Sequence, residues 1–93
     1  MKQIREFKSG DIVSHFKRQW YNQGNQYLYK IIGIGQQTET AEKYMVYQAL
    51  YDDHKIYLRP LDMFNSLTDK EKYPDAKQIY RFEIYKGNSI VEE

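Results

Sequence analysis

A small, strongly bent antiparallel β-barrel is the fold class this sequence predicts, and three observations predict it. Ten tyrosines, four phenylalanines and one tryptophan stand among 93 residues with only two prolines. Tyrosine suits a half-buried pleated surface, where the ring packs and the hydroxyl stays wet. The apolar residues fall in short runs rich in β-branched and aromatic side chains, and Gly, Asn and Asp turn signals separate those runs at hairpin distance. An SH3-like barrel fits five such strands with a short helical cap; an OB-like barrel is the alternative.

The elements follow in order. Residues 1–9 are weakly patterned and read either as a short leading strand or as a loose arm. Gly10-Asp11 is a turn, and Ile12 to Phe16 is a strand of β-branched and aromatic residues. Lys17 to Gln26 (KRQWYNQGNQ) is a polar loop that carries Trp20 and Tyr21. Tyr27 to Ile34 is the clearest strand; both faces are largely apolar, which marks it as central or strongly bent, and Gly33 with Gly35 suits a bulge. After the polar connection Gln36 to Lys43, Tyr44 to Tyr51 is the next strand, its Tyr and Val outweighing the helix-forming Met, Gln, Ala and Leu. Asp52-Asp53-His54 is a tight turn into Lys55 to Arg59, and Pro60 ends that strand. Leu61 to Phe64 is one helical turn whose Leu61 and Phe64 cover an open end of the sheet. Asn65 to Lys77 is a polar connection, Gln78 to Tyr85 a last alternating strand, and Lys86 to Glu93 a loose tail.

Length and composition bound the function. Ninety-three residues make one domain, residues 1–93, with a core over about 10–85 and loose termini. The absence of cysteine excludes a disulfide scaffold, a thiolate zinc site and a thiol nucleophile. No apolar run approaches the about 20 residues of a membrane-spanning helix, and the N-terminus has no secretory pattern, so the expected location is the cytoplasm. The net charge of +1 conceals an asymmetry: residues 1–30 carry six Lys/Arg against two Asp/Glu, whereas the rest of the chain is slightly acidic. That basic third is either a solvated face or a phosphate-facing patch.

Five segments carry a resemblance. Ser14–Lys17 (SHFK), Tyr27–Thr40 (YLYKIIGIGQQTET), Val46–Tyr51 (VYQALY), Arg59–Phe64 (RPLDMF) and Tyr80–Glu83 (YRFE) occur in this order and resemble a family of small bacterial and phage proteins known as domain of unknown function 1653. The resemblance runs from about Gly10 to Glu83. It implies a shared fold and supplies no mechanism.

The candidate site residues come from these segments and from the loop between the first two. His15, Thr38, Glu39, Tyr47 and Arg59 are their polar members. One reading is structural, with Glu39 and Arg59 as an ion pair fixing a loop and His15 donating to a backbone carbonyl. Another is a binding site, with Arg59 as anion clamp and Tyr47 as stacking ring. Lys17, Arg18, Trp20, Tyr21 and Lys30 interleave bases with aromatic rings, as single-strand binders do. The same aromatics also suit a peptide groove. No catalytic motif is visible: Ser14 and His15 point to opposite faces of a strand, Gly33-Ile34-Gly35 lacks the third glycine of a dinucleotide loop, and Asp52-Asp53-His54 is explained by turn chemistry rather than by a metal. The expected function is a binding or accessory module without cofactor. Its partner is a protein or peptide met by the exposed aromatics or, alternatively, a nucleic acid or nucleotide. It acts as a monomer or a weak homodimer.

Overall fold

The computed structural model describes residues 6–87. The expected loose termini fall largely outside them. The fold is mainly β: β1 (Ile12–His15), β2 (Leu28–Gln36), β3 (Lys43–Ala49), β4 (Ile56–Pro60) and β5 (Phe82–Ile84), with one short helix, α1 (Leu61–Phe64). All pairings are antiparallel, in the order β4-β3-β2-β1-β5. The apolar two-faced strand β2 is central, as its sequence predicts, and its register breaks between Ile31 and Gly33, so the anticipated bulge falls there.

The five-stranded antiparallel sheet expected from the sequence is formed, and it is not closed by backbone pairing. β4 and β5 are its two edges and share no backbone ladder. Side chains bridge them instead. Phe64, on the helical turn that follows β4, stacks on Phe82 of β5 at 4.2 Å between ring centroids and an interplanar angle of 7°. The Arg59 guanidinium lies 5.8 Å from the same ring. Pro60 cannot donate to a ladder, and α1 turns the chain off the edge, so the curled sheet is plugged by rings rather than zipped by amides.

The core lies on the concave side. Val13, Tyr29, Ile31, Met45, Tyr47, Ala49, Phe64 and Phe82 are buried together, with Tyr27, Tyr51, Leu61 and Ile84 packed around them. Phe7, from the segment that reads as a short leading strand or a loose arm, joins this core and packs edge-to-face with Phe64 at 5.7 Å. Four of the ten tyrosines, Tyr27, Tyr29, Tyr47 and Tyr51, belong to this core or pack against it, and Tyr29 and Tyr51 share a hydroxyl hydrogen bond of 2.8 Å.

Two elements differ from expectation, each for a local reason. The first strand stops at His15, because the Nδ1 of His15 accepts the Lys17 backbone N–H and turns Phe16–Gln19 into a 3₁₀ turn. The last strand is only Phe82–Ile84, because the Glu83 carboxylate takes the backbone N–H groups of Ile79 and Tyr80 at 2.9 and 3.0 Å. Those amides cannot then join the ladder. The segment 65–81 is bolted down by amide side chains instead: Gln78 exchanges hydrogen bonds with Ser14, and Gln19 reaches the backbone of Asp75 and Lys77.

The β2–β3 hairpin offers a test of local strain. Ala41 has φ of +63°, a left-handed conformation that disfavours any Cβ. Ala41→Gly relieves that strain at the cost of added freedom in the unfolded chain, for an expected net stabilisation of about 0.5 kcal/mol. The urea midpoint checks it; a lowered midpoint contradicts the strain.

Candidate functional site

His15 organises the site. It closes β1, caps the 3₁₀ turn through Nδ1, and lies buried among the rings of Phe16 (4.5 Å, stacked), Phe82 (5.0 Å, edge-on) and Tyr27 (5.5 Å). Burial, and then the positive charges of Arg81, Arg59 and Lys17, push its pKa down to about 3. The imidazole is therefore neutral at physiological pH. With Nδ1 accepting, the neutral ring carries its hydrogen on Nε2.

Two adjoining cavities open on either side of this ring. One, of about 320 Å³, is lined by His15, Phe16, Lys17, Arg59, Asp69, Lys72, Tyr73 and Arg81. The other, of about 270 Å³, is lined by His15, Lys17, Arg59 and the rings of Tyr27, Tyr29, Tyr47, Tyr57 and Phe82. His15, Lys17 and Arg59 belong to both. The first cavity thus gathers four cations against one carboxylate, and the second is an aromatic slot on its flank.

The cations are held by neutral partners. Arg59 donates its Nε–H to the Tyr47 hydroxyl (3.2 Å), and Arg81 donates its own to the Ser66 hydroxyl (3.2 Å). Each guanidinium keeps its terminal N–H groups out of any other hydrogen bond among the described residues. Lys17 and Lys72 both place Nζ 5.7 Å from the centre of the Tyr73 ring. Asp69 accepts the backbone N–H groups of Glu71 and Lys72, which spends part of its acceptor capacity locally. None of the four cations makes an ion pair; Lys55 with Asp53 is the pair found among the described residues.

The sequence-derived candidates divide accordingly. His15, Lys17, Tyr47 and Arg59 come together. Tyr47 is buried and serves as acceptor for Arg59, so the accessible ring of the slot is Tyr57, 44% exposed and 6.0 Å from Tyr47. Trp20, 44% exposed, leans on Phe16 and Tyr73 at the rim of the cationic cavity. Tyr21, 54% exposed, packs on Tyr27 at the rim of the aromatic slot. Arg18 turns away to close its own loop, donating to the Gly24 and Gln26 carbonyls, and stacks near Tyr85. Lys30 is exposed on the convex side of β2, opposite Gln48. Thr38 and Glu39 sit at the β2–β3 hairpin tip, where the Gln37 side chain accepts their turn's N–H groups; the expected ion pair of Glu39 with Arg59 is not made.

Lys72, Tyr73 and Arg81 complete the cavity and were not among the sequence-derived candidates. Arg81 stands inside the Tyr80–Glu83 segment, so its signal was present; Lys72 and Tyr73 lie in a polar connection without periodicity.

Fold and site together define a small all-β domain with a cationic cavity and an aromatic slot built around one neutral histidine. Residues 11–84 match the family described as "Protein of unknown function (DUF1653)", and the chain belongs to that family. No curated protein and no solved structure matches it.

Proposed function

We propose that this domain is a non-catalytic module that binds single-stranded nucleic acid or a nucleotide through the cationic cavity and its aromatic rim. The carrying observation is the convergence of Lys17, Arg59, Lys72 and Arg81 on one cavity, none of them in an ion pair among the described residues. Cations that make no ion pair among the described residues, beside accessible rings, favour an anionic, ring-bearing ligand. Arg59 and Arg81 offer forked donors suited to phosphate oxygens. Tyr57 and Trp20 offer faces on which bases stack. A peptide partner met by Trp20 and Tyr21 alone uses none of this charge.

Trp20 is the sole tryptophan, so its fluorescence reports binding at the rim. Titration with a mixed-sequence single-stranded oligonucleotide is expected to quench it. With about three phosphates engaged, the log–log salt slope is about −2, and affinity falls about fifteenfold between 50 and 200 mM salt. Arg81→Ala is expected to weaken binding about tenfold and flatten the slope, whereas Lys30→Ala, on the convex side, leaves both unchanged. Salt-insensitive binding, or none at 50 mM salt, overturns the reading.

A further inference from the structure

Four cations line one cavity. We infer that the cationic cavity receives the phosphomonoester end of a nucleic-acid strand, or of a free nucleotide, in preference to internal phosphodiesters. This preference rests on the nucleic-acid reading above.

The first support is the distribution of charge. A groove that tracks internal phosphates spreads its bases along a path, because each phosphodiester carries a single charge. Here the other two bases of the sequence-derived set are elsewhere: Arg18 is bound to loop carbonyls and Lys30 lies on the convex side. Four cations and one carboxylate line a cavity of about 320 Å³. A phosphomonoester, with about 1.5 to 2 negative charges at pH 7, complements that excess better than a phosphodiester does.

The second support is the chemistry of the donors. Arg59 and Arg81 are each fixed by a single Nε–H bond to a hydroxyl, which orients the guanidinium and leaves its paired terminal donors for a ligand. His15, neutral and buried against three rings, adds a donor on Nε2 without adding charge. A terminal phosphate has three free oxygens for these groups; an internal one has two.

The third support is the adjoining slot. It shares His15, Lys17 and Arg59 with the cationic cavity and is walled by tyrosines, with Tyr57 accessible. A ring attached to the bound phosphate through a sugar has its place there. Trp20 and Tyr21, at the two rims, provide further faces for the next bases. That succession of separate rings favours a strand of bases over a single phosphotyrosine side chain.

The test compares three ten-nucleotide strands of one sequence, carrying a 5′-phosphate, a 3′-phosphate or hydroxyl at both ends, by Trp20 fluorescence at 100 mM salt. Adenosine monophosphate, inorganic phosphate and a phosphotyrosine peptide serve as competitors. The expected result is at least tenfold tighter binding of one phosphorylated strand than of the hydroxyl strand, with the monophosphate competing. That advantage is expected to shrink below threefold in Arg81→Ala and in Lys72→Ala. The second variant changes an exposed loop side chain, so folding does not confound it. Equal, salt-sensitive affinity for all three strands overturns this inference and leaves the single-strand reading standing. No binding of any strand or of the monophosphate overturns both. Direct quenching of Trp20 by the phosphotyrosine peptide, with neither a strand nor the monophosphate bound, overturns both in favour of a protein ligand.

Discussion

Phe82→Ala is expected to cost about 3–5 kcal/mol. Phe82 is 1% exposed, stacks on Phe64, and receives the edges of His15, Tyr29 and Tyr47 as well as the Arg59 guanidinium. It therefore plugs the gap that the open sheet leaves between β4 and β5. Truncation removes the ring, its dispersion contacts and the bridge between the two sheet edges together. A 93-residue domain has a total stability of about 5–14 kcal/mol, so the variant stands at the brink of unfolding. Ile84→Ala, on the same strand but half-buried, costs about 1–2 kcal/mol. Urea denaturation of the two variants measures the difference; equal losses would mean that β5 contributes as a strand and not through its plug.

Acidification is expected to destabilise the domain through His15. Its ordinary pKa of 6.5 falls to about 3 in the folded state. A basic group whose folded pKa is lowered gives stability that is complete above its unfolded pKa and is lost as pH falls toward the folded one. Between pH 7 and pH 5 the loss from this residue is about 2 kcal/mol, because the unfolded chain binds a proton there and the folded chain does not. His15→Asn keeps a side-chain acceptor for the Lys17 N–H and is expected to be less stable at pH 7, but with that pH dependence gone. Denaturant midpoints at pH 7, 6 and 5 decide it. A wild-type curve that stays flat over this range, or an unchanged slope in the variant, refutes the role of His15.

Much of the fold was legible because period-2 alternation and turn residues carry it. Ile12–His15, Leu28–Gln36, Lys43–Ala49 and Ile56–Pro60 fall within a residue or two of expectation, and Leu61–Phe64 is the helical turn foreseen, with Phe64 in the core. What escaped depends on long-range partners. The Glu83 carboxylate that caps Ile79 and Tyr80, and so shortens the last strand, acts across a bend no periodicity announces. Whether a barrel closes depends on two edges far apart in sequence, and Phe64 on Phe82 substitutes for a ladder that local pattern cannot foretell. The site shows the same division. His15, Lys17 and Arg59 stand in the resembling segments, but Lys72 and Tyr73 meet them because Gln78 and Gln19 bolt the segment 65–81 against the first strand and its turn.

The strand order carries a consequence for the growing chain. β1, near the start, pairs with β2 on one side and with β5, about seventy residues later, on the other, as in Ser14 opposite Glu83. During synthesis the first four strands can assemble as a meander, yet their concave side lacks Phe82 and stays wet. The cationic cavity likewise lacks Arg81 until the same moment. Long-range pairing of this kind is slow and cannot be replaced by local contacts. Core closure and the completed cavity thus arrive together, when the last strand emerges, and an incomplete chain offers neither.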